Sequence, residues 1–207
     1  MSEATKTEEE IVAAYEKLMA DKKATIPDKI RIDIGCGKNK QPGFIGIDQF
    51  PMSGVDVVCD IKKGLPYKDD EVDEVFCSHF IEHLERRERV AFMNELYRVM
   101  KPGAKAMFIA PHWASNRAYG DMTHCWPPVC EMWLYYLSKN WRTDNCPHDD
   151  SRWNPEGYSC DFEASWGFSY HPALNGRNQE YIVNAQTFWK EACQDIQIQM
   201  TKLVEQK

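Results

Sequence analysis

Apolar residues recur along the chain in two periods, and the alternation between those periods sets the order of elements. Across residues 8–23, Ile11, Val12, Tyr15, Leu18 and Met19 stand at helical spacing, with acidic residues early and lysines late, as a helix dipole favours. This predicts an amphipathic first helix that ends near Pro27. Residues 29–34 alternate basic side chains with isoleucine before running into glycine, the pattern of a strand meeting a tight turn. Residues 44–47, 55–58 and 72–77 predict three more short strands, each stopping at a polar or acidic residue. Residues 88–100 put Val90, Phe92, Met93, Leu96, Val99 and Met100 at helical spacing. Lys101, Pro102 and Gly103 end that helix, and residues 104–110 form a fifth strand.

From Pro111 to about Asn175 the periodicity breaks into a stretch rich in Trp, Tyr, His, Pro and Cys, too apolar for a disordered linker. It reads as a folded insertion or lid with a short helix over residues 131–137. A helix over 181–193 and a last strand over 196–204 follow. The expected fold class is α/β: a Rossmann-like, mostly parallel sheet with helices on both faces, plus an aromatic-rich insertion after the fifth strand. The chain of 207 residues is long enough for one core. We expect a single domain: an N-terminal helix in 1–28, a ligand-binding core in 29–111, the insertion in 112–175, and a closing helix and strand in 176–207. Ligands of such sheets bind beyond the carboxyl ends of the strands.

Charge and composition narrow the partners. A net charge of -7 disfavours nucleic acid without excluding it. No stretch approaches the roughly 20 apolar residues of a membrane span. The first ten residues are polar and acidic, unlike a secretory signal, so a cytoplasmic location and no membrane partner are expected. The eight cysteines include Cys36, Cys59 and Cys77 in or beside parallel strands, which favours free, partly buried thiols over a disulfide framework.

The strongest chemical signal is the run from Arg31 to Asp48, RIDIGCGKNKQPGFIGID. A strand ends at Asp33, turns through Gly35 and Gly37, and leads to a second strand ending at Asp48. Glycines let backbone approach a ligand closely, and an acid at the next strand tip can accept both hydroxyl hydrogens of a ribose. Lys40 stands where a dinucleotide fold would have its third glycine, which speaks against NAD.

These residues resemble the class I (Rossmann-like) S-adenosylmethionine-dependent methyltransferases, of the type 11 kind, over about residues 29–111. Asp33-Ile34-Gly35-Cys36-Gly37 has the form of the family's first motif. The resemblance implies S-adenosylmethionine as cofactor, with Asp48 on its ribose, Asp60 on the adenine amino group and Ile61 against the ring. Leu65-Pro66, Asp73 and the run from Ser78 to Leu84 look like the fourth-strand region, where Ser78 and His79 would meet the cofactor. Arg98 to Ala104 resembles the approach to the fifth strand. One departure is that too few residues separate Gly37 from the second strand for the helix that normally follows the first motif. Residues 38–43 are expected to form a loop instead.

Methyl transfer from a sulfonium is an in-line displacement that needs alignment and, for some acceptors, a base. His79, His124 and His112 are the candidate bases; His124 lies in Asp121-Met122-Thr123-His124, which loosely resembles an acceptor-facing segment of some family members. Glu82 and His83 are expected to begin or support the helix after the fourth strand. Trp113, Trp126, Trp133 and Trp141 either stack on an acceptor or form the insertion's own core. No metal centre is expected: His112, His124, Cys125, Cys130, Cys146, His148 and Cys160 lack the short paired spacing of zinc sites. Cys77-Ser78-His79-Phe80 stands where base N-methylating enzymes carry Asn or Asp with two prolines. The expected acceptor is therefore an oxygen or nitrogen of a small molecule or of a modified sugar or base, and oligomeric state is left open. The alternative is a non-catalytic module that binds the cofactor, or a related nucleoside, and acts on a protein partner.

Overall fold

The computed structural model describes residues 29–146 and 157–204; the helix expected over 8–23 and His148 lie outside the described residues. Seven strands form one sheet in the order β3-β2-β1-β4-β5-β7-β6. They are β1 (Arg31–Ile34), β2 (Ile45–Asp48), β3 (Val57–Val58), β4 (Val72–Ser78), β5 (Met100–Pro111), β6 (Phe162–Tyr170) and β7 (Cys193–Lys202). The first five run parallel, β7 is antiparallel to β5, and β6 is antiparallel to β7. The order of strands across the sheet reverses at the parallel neighbours β1 and β4, so the carboxyl ends of β1, β2 and β4 open a crevice at this switch point.

The helices are α1 (Arg86–Val99), α2 (Arg117–Gly120), α3 (Glu131–Tyr135), α4 (Lys139–Asn145) and α5 (Gln179–Phe188). In α1, Glu88 reaches back to accept from the Glu85 amide at 2.9 Å, half of a capping box, and Phe92, Met93, Leu96 and Val99 are buried. They pack in one core with Ile32, Ile34, Val75, Cys77, Ala106, Phe108, Ile196 and Ile198 of the sheet. Burying each such side chain contributes about 1.5–3 kcal/mol, so tertiary packing holds this helix more than local propensity does.

Three boundaries differ from the sequence reading for identifiable reasons. β5 starts at Met100: Met100 pairs with Val72 but Lys105 already pairs with Glu74, so Pro102 and Gly103 (φ 77°) bulge outward from a continuing strand. Residues 162–170, placed in the insertion, are the strand β6, whose partner β7 is more than twenty residues away and invisible to a local window. The predicted helix over 181–193 begins earlier, where Asn178 caps the Tyr181 amide, and ends at Phe188. The rest of the insertion is not a detached lid, since Val129, Leu134, Leu137 and Cys160 join the main core. All eight cysteines are free, and burial pushes the thiols of Cys36, Cys59 and Cys193 up to about 11 and Cys160 up to about 12. No described helix is long and apolar enough to cross a membrane.

Candidate active site

The turn after β1 has no helix. Gly35 (φ 69°) and Gly37 (φ 50°) reverse the chain, and the Gly35 amide donates to Ile47 O at 2.8 Å. What replaces the missing helix is close packing of glycine on glycine. A Cβ on Gly46 would lie 2.3 Å from Gly54 O, and one on Gly54 would lie 2.5 Å from Gly37 O. Lys40 fastens the same loop with a 2.6 Å ion pair to Asp56, which also accepts from the Gly46 amide at 2.8 Å.

Asp48, at the tip of β2, accepts from the Gly37 amide through Oδ2 and from the Phe50 amide through Oδ1, each at 3.0 Å. Each oxygen keeps a lone pair free. Asp60 caps the 3-10 turn Ile61–Lys63 by accepting from the Lys62 amide at 3.2 Å. These residues share a cleft of about 260 Å³ lined by Gly35, Asp48, Met52, Asp60, Ile61 and His79, with Phe80 and His83 on the same wall. Phe80 presses against the glycine turn so closely that a Cβ on Gly35 would stand 2.4 Å from its ring.

Asp33, Cys36, Gly37 and Ser78, also expected to contact the cofactor, do not line this cleft. Asp33 is buried behind it and accepts from the Gln41 amide at 2.7 Å; burial raises its carboxyl despite that bond and the nearby Lys40. The buried Cys36 thiol sits 3.6 Å from Gly37 O and Gly54 O. Asp33 and Cys36 thus lie behind the lining, while the Gly37 amide holds Asp48 in it.

His79 holds a left-handed backbone (φ 53°), uncommon for a residue with a side chain and a frequent mark of functional sites. Its amide donates to Ile109 O at 2.8 Å, which fixes the end of β4 against β5. Its Nδ1 lies 3.3 Å from Oε1 of the buried Glu82, and that carboxylate raises the imidazole above its ordinary value. Glu82 and His83 form the 3-10 turn Ile81–His83 ahead of α1, not the start of the helix itself. His124 does not line the cleft but packs edge-on against His83, ring centroids 4.8 Å apart.

His112 is placed elsewhere. It is 1% exposed, accepts from the Ala114 amide through Nδ1, faces Glu131 through Nε2 at 3.2 Å and packs on Trp113 and Phe168. The structure does not bring it to the cleft. Of the tryptophans, Trp133 donates to Tyr158 at 2.8 Å and Trp141 stacks on Tyr135, whereas Trp113 and Trp126 are exposed. The sequence reading missed Phe80, Gly46 and Gly54. Glycines at these two positions were visible, but the close approach that requires them was not.

Residues 42–108 match the family described as "Methyltransferase domain". The seven-stranded, mostly parallel sheet is the Rossmann-like α/β fold of methyltransferases, and the matched segment spans β2 to most of β5. It is similar in fold to a SAM-dependent methyltransferase from Archaeoglobus fulgidus (21% identity, 95% of each chain covered, TM-score 0.58). It is also similar to geranyl diphosphate C-methyltransferase from Streptomyces coelicolor A3(2) (12% identity, 98% of this chain and 86% of that one covered, TM-score 0.50). No curated protein matches the sequence. The methyltransferase segment ends within β5, so α2 to α5, β6, β7 and His124 lie beyond it.

Proposed function

We propose that the protein transfers a methyl group from S-adenosylmethionine to an oxygen or nitrogen of a small molecule, or of a modified sugar or base, held over the carboxyl ends of β4 and β5. The observation that carries this reading is the shared cleft of Gly35, Asp48, Asp60, Ile61 and His79. The residues fit the cofactor chemically. Both Asp48 oxygens are oriented by backbone amides and retain lone pairs for two ribose hydroxyls, and Asp60 and Ile61 offer an acceptor and an apolar face to an adenine. The cofactor supplies an electrophilic methyl on a sulfonium.

The chain itself then has to exclude water, align the acceptor and receive a proton. His79 lies at the mouth of the cleft with its Nδ1 turned to Glu82, so Nε2 is the atom that takes a proton from an acceptor hydroxyl or amine. Glu82 stabilises the imidazolium that forms. Free thiols throughout the chain fit a reducing compartment such as the cytoplasm. The test is transfer of a radiolabelled methyl group to small-molecule, nucleoside and macromolecular pools by the purified protein. Label entering a small-molecule or nucleoside pool supports the reading, and label found solely in protein overturns the acceptor class. His79→Ala should then lower kcat while leaving the affinity for S-adenosylhomocysteine within about twofold of wild type, a loss confined to transition-state interactions.

A further inference from the structure

We propose that Glu82, His83 and His124 bind one divalent transition-metal ion at the edge of the cleft. The sequence had given no reason to expect a metal. Each of the three residues offers a ligand atom, and these atoms lie within 4.8 Å of one another. They come from two segments that the backbone ties together: the Cys125 amide donates to Glu82 O at 2.8 Å. The buried Arg89 of α1 adds to this by donating to the carbonyls of Glu82, Leu84, Cys125 and Pro127. The triad is therefore assembled before any ion arrives.

The carboxylate is the first sign of a missing partner. Glu82 is 3% exposed and neither of its oxygens makes a hydrogen bond among the described residues. His79 stands 3.3 Å from Oε1, which leaves Oε2 without compensation. Buried carboxylates are ordinarily paired, hydrogen-bonded or bound to a metal. If His83 and His124 were merely packed against each other, their ring contact would be explained but Oε2 would still lack a partner.

The imidazoles are held in the state a metal requires. Thr123 Oγ1 donates to Asp121 Oδ1 at 2.7 Å, so in its 3.1 Å contact with His83 Nδ1 the imidazole N–H is the donor. His124 Nδ1 lies 3.4 Å from Ala118 O, and a carbonyl can only accept. In the neutral form of both rings these contacts put the hydrogen on Nδ1 and leave the lone pair on Nε2. His124 Nε2 is 3.8 Å from Asp121 Oδ2, beyond hydrogen-bond reach. Metal-binding histidines usually donate their other N–H to a carboxylate, carbonyl or water; the Ala118 carbonyl serves His124 in this way, and the Thr123 hydroxyl, itself fixed by Asp121, serves His83.

Two nitrogens and one carboxylate oxygen suit zinc, cobalt(II) or iron(II) and leave a coordination position open, whereas magnesium and calcium prefer all-oxygen surroundings. His83 also lines the cofactor cleft, so the ion would border it. Binding can be read without an acceptor or a cofactor, so failure here and failure of the methyltransferase reading are distinguishable. The test is titration of the metal-free full-length protein with Co2+ under visible absorption, followed by Zn2+ competition. The expected result is one Co2+ per chain, with nitrogen- and oxygen-ligand bands, no thiolate charge-transfer band, and displacement by Zn2+.

Glu82→Gln and His124→Asn should each weaken binding by about 100-fold or more, and Thr123→Val by about tenfold. His171→Asn, at an exposed imidazole outside the triad, should bind as wild type does. Absence of stoichiometric binding, or unchanged affinity in Glu82→Gln and His124→Asn, overturns the proposal. Should a buried-ligand variant unfold, the exposed Thr123→Val decides: weakening supports the site and wild-type affinity overturns it.

Discussion

Replacing Gly35 with alanine tests how the cleft is built. The backbone at Gly35 is left-handed (φ 69°), which costs a residue with a Cβ about 1–2 kcal/mol. The new Cβ would also stand 2.4, 2.6 and 2.8 Å from Cδ2, Cγ and Cβ of Phe80, the base of that side chain rather than its tip, so a rotamer change gives little relief. Overpacking of this kind costs about 1–3 kcal/mol. Gly35→Ala should therefore destabilise the protein by about 2–5 kcal/mol. Phe80→Ala removes the two closest atoms but keeps the Cβ at 2.8 Å, so the double variant should recover most of the overpacking part and show an interaction energy of about 1–2 kcal/mol, with the backbone part remaining. Urea denaturation of wild type, both single variants and the double variant measures all four stabilities. Additivity to within about 0.5 kcal/mol would refute the claim that Phe80 presses on the glycine turn.

Three further outcomes follow from the same structure. Gly46→Ala should be more damaging than Gly103→Ala, because its Cβ meets the backbone oxygen of Gly54 at 2.3 Å whereas nothing lies within 4 Å at Gly103; thermal melts of the two variants rank them. Arg98→Met should cost about 1–2 kcal/mol in urea denaturation. It removes bonds of 2.7–2.8 Å to Glu95, 2.8 Å to Asp69 and 2.9 Å to Tyr67 O, and partial exposure discounts their worth. Asp33 has a native carboxyl raised by burial, so the folded state binds its proton at higher pH than the unfolded state. Its contribution to stability is full below the unfolded value near 3.8 and is lost as pH rises through the raised native value. Wild type should thus lose stability relative to Asp33→Asn as pH rises across that window, and a constant difference would contradict it.

How much of this could be read from residues alone depended on the range of the interactions. β1 to β5 and α1 announce themselves because short apolar runs bounded by turn residues, and one helical-period stripe, are local signals, and the acids that follow β2 and β3 place Asp48 and Asp60 without reference to the rest of the chain. β6 also alternates, Phe162, Ala164, Trp166 and Phe168 against Glu163, Ser165 and Ser169, yet it lies in an aromatic-rich stretch and gains its identity from pairing with distant β7. The adjacency of Glu82 and His83 was plain, but the burial of Glu82 and the approach of His124 to His83 depend on Arg89 drawing residues 125 and 127 to the start of α1. His112 looked equivalent to His124 in sequence, and only packing against Glu131 and Phe168 separates them.

The most direct measurement is calorimetric titration of S-adenosylhomocysteine into the wild-type chain and into Asp48→Asn. Saturable one-to-one binding is expected for wild type. Loss of a charged acceptor should weaken it by about 1.5–3 kcal/mol, about 10- to 100-fold in Kd. Because Asp48 also holds the Gly37 and Phe50 amides, the melting temperature of the variant is recorded alongside. No binding by wild type, or equal affinity in a folded Asp48→Asn, would contradict the assignment of this cleft to the cofactor.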